Sequence, residues 1–584
     1  MASHLQTSVV PEGGEALSGV PPASRRAPEQ RLRVVLWATA ALAGTLQAWA
    51  SRFFIEPDGV NYLDVARAYL RGDLHAAVNS YWSPLYSWLL AVAIGLLHPS
   101  PYWESTVLHA VNLFDYLLSL ACFAFFFQEL TALVEARLSR QSERFRLGWA
   151  WVLFGYSLFV YASLELIGVR TDTPDLLVCA ATLLATALLI RMLRGVVSWR
   201  AYFWLGVVLA VGYLAKAVMF PLALVFILCS AFAGGNWRKR APLAALALVM
   251  FGLAASPWLT ALSKAEGRLT FGDSGRFNYA WYANDPAPSS WSGPEASKRS
   301  ATASGLRILS LSPPVEAFAS HLEGTYPPWY DPNYWSGPTH PRFEWRGQLR
   351  ALEAGLAEYF RLLSAEKGIA VGLLALFLFS GRRRDIFGEI AFLWPVWLPS
   401  AATLALYSLV HVESRFIGAA IVVLWCCLFT AIRMPQSDAS QNAWMAVLLA
   451  VTLSFVVTLA AQFVGDISAT AKRQDNVQWR VAQELMQLGV KEGSDVAILG
   501  KEKASDYWAH LAGDTVVADI PAEGVPDYWG ADSEKRADIL TLLAQAGATA
   551  IVTQFPPPES QARDWQSLGS TGYHAIVLLR PGSN

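Results

Sequence analysis

The chain has 584 residues, 54% of them hydrophobic and only 16% charged, with a formal net charge of −1. Soluble domains average about 25% charged residues, so this composition belongs to a protein that crosses the membrane many times. A near-zero net charge with no long basic stripe interleaved with aromatics lacks the electrostatic footprint of a nucleic-acid binder, and that class is excluded.

Residues 1–32 are rich in Pro, Ser, Gly and Ala and end among Arg25, Arg26, Arg31 and Arg33, the composition of a disordered cytoplasmic tail ahead of a membrane anchor. The apolar run 34–47 is followed by Ala48 and Ala50, a spacing that also fits a cleaved signal peptide. The long polar segment before the run favours an uncleaved anchor. In either case Asp58 emerges outside the membrane.

Apolar runs able to cross about 30 Å of hydrocarbon recur near 34–51, 107–130, 147–164, 174–190, 201–214, 217–233, 241–261, 368–380, 389–410, 416–432 and 443–464. The run 84–97, PLYSWLLAVAIGLL, is read as a surface-lying juxtamembrane helix. That choice puts every strongly basic short loop on one side: the N-terminal cluster, Arg137/Arg140/Arg144/Arg146, Arg191/Arg194/Arg200, Arg238/Lys239/Arg240 and Arg382/Arg383/Arg384. The positive-inside rule makes that side cytoplasmic. The fold expected is a multi-spanning α-helical membrane protein of about eleven transmembrane helices, with outer-face juxtamembrane helices and a small C-terminal α/β domain. Residues 33–464 form the transmembrane domain, with outer loops 52–106 and 262–366, and 465–584 the extracytoplasmic one.

The loop 262–366 holds Trp281, Trp291, Trp329, Trp335 and Trp345 among turn-forming residues, which suits a sugar site or a cap at the lipid interface. The tail shows helix-like 476–489 and 533–546 and short aliphatic runs at 495–499, 515–518, 549–553 and 575–579, the alternation of an α/β unit. It carries no Gly-rich nucleotide fingerprint. The five cysteines all lie in apolar runs without C-x-x-C spacing.

Charged residues inside or beside apolar runs need a reason. In FFIEPDGVNYLDVARAYLRGD, residues 53–73, Tyr62, Val65, Ala66 and Tyr69 recur at helical spacing, which predicts an amphipathic helix on the membrane surface. Asp58 at its start is either an N-cap or a functional carboxylate, while Glu56, Asp64 and Asp73 read as solvated neighbours. In SLELIGVRTDTPDLL, Glu165, Asp172 and Asp175 border a very short outer loop, and Asp172 is a second candidate with capping as its alternative. Lys216, in VGYLAKAVMFPLAL, either snorkels or waits for an anion such as phosphate. In HVESRF, His411, Glu413 and Arg415 sit between two spans, where Glu413 and Arg415 form an ion pair or Arg415 forks onto a phosphate.

DGVNYLDVARAYLRGD followed by YWSPLYSWLLA resembles the first outer loop of the GT-C superfamily of integral-membrane glycosyltransferases, in the branch of the aminoarabinose transferases, protein O-mannosyltransferases and lipopolysaccharide-core galacturonosyltransferase-like proteins. Asp58, Tyr62, Ala66, Arg67, Pro84, Leu85 and Tyr86 stand at the matching positions, with Trp82-Ser83-Pro84 replacing His-Pro-Pro. RTDTPDLL is similar to the second acidic motif through Asp172. LAKAVMFP is similar to the leucine-lysine-glycine motif through Lys216, with Ala217 in place of glycine. ESRF is similar to a late arginine-tyrosine element, with Phe416 in place of tyrosine.

The resemblance covers roughly residues 30–435. It implies transfer of a sugar from a polyprenyl-phosphate donor to an outer-face acceptor, usually with inversion. Asp58 would be the base, Asp172 would position the acceptor or stabilise developing charge, and Lys216 and Arg415 would bind the donor phosphate, with Tyr62, Arg67, Tyr86, Glu165, His411 and Glu413 in support. A divalent cation, Mg²⁺ or Mn²⁺, held by Asp58 and Asp172 is the alternative way to meet the phosphate. The expected location is the plasma (inner) membrane, N-terminus cytoplasmic and active face extracytoplasmic. A polytopic transporter or flippase and a non-catalytic envelope assembly protein are the competing classes; the first calls for midplane charges and inverted repeats, which the one-sided carboxylates do not match.

Overall fold

The computed structural model describes residues 22–140, 146–284, 306–318, 324–331, 341–380, 383–472, 475–501, 506–559 and 563–578. Residues 1–21 of the expected tail, and Arg144, Trp291, Trp335 and Arg382, lie outside them. The helix over the first apolar run begins at Pro22, so the tail assigned to 1–32 is helical over its last residues.

Every expected apolar run is covered by helix. Among the described residues seven helices are long and apolar enough to cross a membrane, and two pairs bent by 78°, Trp345–Ala365 with Lys367–Phe379 and Arg383–Phe392 with Trp394–Ser408, raise the number to nine if each pair is one span. Trp199–Ala215 and Met219–Phe232 are apolar but shorter, so the expected eleven reduces to nine plus these two. Pro84–Leu97 is a separate short helix, as the charge argument required.

Charges mark the two ends of the helical body. Glu104 opens the helix Glu104–Arg140 and Arg137 lies near its other end, about 50 Å away at 1.5 Å per residue. At that far end Arg137 donates two hydrogen bonds to Glu389 at 2.9 and 2.8 Å, and the buried Arg433 reaches the same carboxylate at 2.8 Å. Bidentate pairing of this kind offsets the desolvation of both partners.

At the Glu104 end sits one seven-stranded sheet built of β1 (Leu306–Leu311), β2 (Pro314–Phe318), β3 (Asp495–Lys501), β4 (Thr515–Pro521), β5 (Ala550–Thr553), β6 (Gln566–Ser567) and β7 (His574–Val577). Its order is β1-β2-β4-β3-β5-β7-β6, with β4, β3 and β5 parallel. The expected strands of the tail are present, as are helices Val477–Gln487 and Ser533–Gln545. What the sequence left out is the β1–β2 hairpin, contributed by the 262–366 loop, with Glu316 and Ala317 in register with Asp519 and Ala518 of β4.

The helix Pro57–Arg71 is not a half-exposed surface helix. Pro57 at its first position fixes the starting φ, Gly72 ends it at φ 74°, a left-handed cap that favours glycine, and most of the helix between is buried. Tyr62, Leu63 and Ala66 pack against Tyr86, Leu90, Leu108 and Leu177 of the helical body and against Tyr507 and Leu511 of the sheet layer. It is the filling between two layers.

Polar residues of this helix make the joint. Asp64, expected to be solvated, is buried and accepts the N–H and hydroxyl of Thr325, both at 2.8 Å. His510 sets Nδ1 at 2.7 Å from Asp64 and Nε2 at 3.0 Å from Glu104. Arg67, expected to support a site, instead donates to Glu104 at 2.9 and 3.2 Å and to the carbonyl of His510 at 2.8 Å. Carboxylates only accept, so both ring nitrogens must donate and the imidazole is a cation. Burial and the Arg67 charge oppose that state, but Glu104 and Asp64 outweigh them and raise the His510 pKa above its ordinary 6.5.

A raised histidine pKa contributes stability fully below 6.5 that is lost as pH rises through the folded value. Docking of the sheet layer should therefore loosen as pH rises, read by protease protection of residues 475–578 between about pH 6 and about pH 9; constant protection would mean the ring is uncharged. His510→Ala, which leaves two buried carboxylates short of a cation, should cost about 3–5 kcal/mol, measured by thermal unfolding.

Candidate active site

Four separate segments meet beside the start of the helix Pro57–Arg71. Glu56, in extended conformation, occupies the N-cap position without a side-chain cap, and Asp58 falls in the first turn. Asp58 is therefore not the N-cap, and its carboxylate faces Arg415 Nη1 at 3.2 Å, across 357 positions of sequence. Arg415 also donates from Nε to Glu413 at 2.6 Å, and Glu413 meets His411 Nε2 at 3.2 Å. His411 stacks on Tyr282 at 4.1 Å and 6°. Lys216, set where the helix Trp199–Ala215 breaks, bonds to Asp175 at 2.6 Å and lies 3.8 Å above the Phe416 ring.

Asp172 supports this group from below. It is fully buried, accepts the Glu56 N–H at 2.9 Å and the Asn112 amide at 3.3 Å, and does not cap the helix Asp175–Leu193, whose N-cap position is Pro174. It does for Glu56 what the reciprocal half of a capping box does within one helix, but from a different loop. Asn112 accepts the Tyr86 hydroxyl at 2.5 Å, and Tyr62 packs edge-on against Tyr86 and Trp82 at 4.9 and 5.1 Å. Tyr62 and Tyr86 thus hold the helix that carries Asp58.

Exposure separates rim from floor. The side chains of Asp58, Arg415, Lys216 and Glu413 keep 19%, 20%, 25% and 37% of their surface, whereas Asp175 keeps 2% and Asp172 none. Two cations and two carboxylates are therefore partly exposed, beside buried acids. Burial raises the Asp58 pKa against the opposing charge of Arg415. Burial and the Asp172 charge raise Glu56, a half-buried residue and not a solvated one, to about 7. Burial also lifts Asp172 well above the carboxylate range. Glu413 is buried enough to be raised, but His411 and Arg415 outweigh this and hold it at about 2.

Three expectations fall elsewhere. Arg67 belongs to the interlayer joint. Glu165 lies in the turn Ala162–Ile167 next to Arg170 and Asp466. Asp73 caps the short helix Leu74–Ala77 by accepting the N–H groups of His75 and Ala76, both at 3.1 Å. Asp175, given no site role from sequence, stands between the cations, 2.6 Å from Lys216 and 4.0 Å from Arg415. The signal for it was Lys216 itself, a lysine in an apolar stretch that demands a buried counter-charge. Of the loop tryptophans, Trp281 lies 6.2 Å from Tyr81 and Trp329 6.5 Å from Trp82, so both pack on the segment that follows the Asp58 helix, while Trp345 is exposed.

A divalent cation on Asp58 and Asp172 would share Asp172 with the Glu56 N–H and the Asn112 amide, and Asp58 with Arg415. Among the described residues no group of three or more His, Cys, Asp or Glu side chains could hold a metal ion.

Gly59 is where the support is tightest. A Cβ there would stand 2.7 Å from Asp172 Cβ and 2.9 Å from its Oδ2, so Gly59→Ala must push Asp172 off the Glu56 N–H or tilt the helix. The expected cost is about 1–3 kcal/mol, checked by thermal unfolding of the variant in detergent.

No family model matches the chain, and no curated protein matches it. Solved structures do. ArnT from Cupriavidus metallidurans in the apo state is 14% identical with a TM-score of 0.41, over 94% of this chain and 98% of that one. The same protein bound to undecaprenyl phosphate is 12% identical with a TM-score of 0.41, over 96% and 99%. The Archaeoglobus fulgidus oligosaccharyltransferase in complex with Zn and sulfate is 13% identical with a TM-score of 0.43, over 89% of this chain and 67% of that one. The chain is similar to these structures along most of its length.

Proposed function

We propose that the chain is a glycosyltransferase that moves a sugar from a polyprenyl-phosphate donor to a hydroxyl of an outer-face acceptor, with inversion. The observation that carries this reading is the meeting of Asp58 with Arg415, which shares Asp175 with Lys216, the side chains of Asp58, Arg415 and Lys216 staying 19%, 20% and 25% exposed. A phosphate on a lipid tail keeps its charge at the membrane boundary, so its partners must be cations held there. Arg415 offers a planar fork and Lys216 a compact point charge, two complementary ways to hold phosphate oxygens.

In this reading the acceptor O–H gives its proton to the Asp58 carboxylate while the acceptor oxygen bonds to the anomeric carbon. The bond from that carbon to the phosphate oxygen breaks with its electron pair, and the lipid phosphate leaves onto Lys216 and Arg415. Interactions that strengthen as the phosphate gains charge lower the barrier. Asp172 holds the turn that aims Asp58, and Glu413 with His411 orients Arg415. The Lys- and Arg-rich short loops at the opposite end support an outward direction for this one; in this reading the protein lies in the inner membrane with its N-terminus cytoplasmic and its sheet layer extracytoplasmic. Residues 33–464 are proposed as the catalytic domain and 465–584 as an extracytoplasmic one whose sheet is completed by the β1–β2 hairpin of the first.

Reconstitution with radiolabelled polyprenyl-phosphate sugars and an extract of outer-face acceptors tests this. Asp58→Asn should lower turnover about 10²–10⁴-fold while donor binding persists. The acid limb of wild-type kcat/KM should lie above the ordinary aspartate value of 3.8 and disappear in the variant. Unchanged transfer by Asp58→Asn would refute the base; no transfer from any carrier would favour a transporter or an assembly protein.

A further inference from the structure

Asp175 has an arrangement that the transfer step does not use. Its Oδ1 takes the Lys216 ammonium at 2.6 Å, its Oδ2 accepts the Thr173 hydroxyl at 2.8 Å, and Arg415 Nη1 lies 4.0 Å from that same oxygen. It sits behind both cations: its side chain is 2% exposed against 25% for Lys216 and 20% for Arg415. An anion entering from the open side meets Lys216 with N–H donors to spare. The charge it meets is already partly balanced from the rear.

We propose that Asp175 is a buried counter-ion that tempers the hold of Lys216 and Arg415 on the lipid phosphate, so that the spent carrier is released. This rests on reading those two cations as the phosphate site. Asp58 and Glu413 also face Arg415, at 3.2 and 2.6 Å, but both are more exposed than Asp175, which is 2% exposed and meets both cations. Asp175 is tied by the Thr173 hydroxyl at 2.8 Å, and its side chain is 2% exposed. A binding site built to stabilise a departing phosphate risks keeping it, and in many enzymes product release limits turnover. A fixed negative charge behind the cations weakens the bound product without removing the donors that contact it.

The test is titration of the full chain in detergent with polyprenyl phosphate, alongside steady-state transfer from the lipid-linked sugar. Asp175→Asn keeps the size of the side chain and removes its charge. It should bind polyprenyl phosphate roughly tenfold more tightly, with KM for the donor and kcat falling together, and Asp175→Glu should restore wild-type behaviour. Thr173→Val, which unties Asp175 without removing it, should shift binding in the same direction by less, and carries the test should Asp175→Asn fail to fold. A site merely disorganised by the substitution would bind the phosphate more weakly. Unchanged or weaker binding by the variants, with wild type binding normally, overturns the role of Asp175 alone. Absence of binding by wild type overturns the phosphate site and this inference with it.

Discussion

The Glu56 N–H points into the buried carboxylate of Asp172, and the position of Asp58 follows from that bond. A helix start leaves backbone donors without intrahelical partners, and here the acceptor comes from a loop 116 positions away. Gly59 lets that carboxylate approach to contact distance. Asn112 and Tyr86 then secure Asp172 from the other side, so the turn bearing Asp58 is tied into the helix Glu104–Arg140. The Asp58–Arg415 pair is the visible end of this chain of bonds.

The Asp58 helix is held along its length by a second set of charges. Asp64 and Arg67 face the sheet layer and close a buried group of two acids and two cations with Glu104 and His510. Buried pairs of this kind add little over apolar packing, yet are costly to break singly. The sheet layer is therefore an anchor for the helix, and its β1–β2 hairpin comes from the same loop that supplies Tyr282 to the rim. Motion of that layer would be felt at Asp58.

Much of the candidate site was legible in the sequence, for one reason. A charge in an apolar stretch is expensive, so Asp58, Asp172, Lys216 and Arg415 had to mean something. Their chemical types limited what that was. Partners were less legible. Asp64, Glu56 and Asp73 lie in a polar stretch that looks solvated in one dimension, and only the overlying sheet layer removes Asp64 from water. Arg67 read as a supporting site residue because it stands at a position of the resembling motif, but 3.6 residues per turn can point two residues of one helix at different neighbours. The two helices on either side of Lys216 are apolar but shorter than the other spans.

By itself the sequence determined a helical membrane body, the α/β order of the tail, and a set of charges crowded toward one end. These are one-dimensional properties, read from hydropathy, periodicity and the cost of burying charge. Only the tertiary structure decided which charges touch. It set Asp58 on Arg415, buried Asp172 against the Glu56 N–H, brought Asp175 between two cations, and joined β1 and β2 to a sheet whose other strands lie far along the chain. Hydrogen bonds and ion pairs act over about 3 Å, and which groups come that close depends on how separate segments pack, a quantity no local pattern contains.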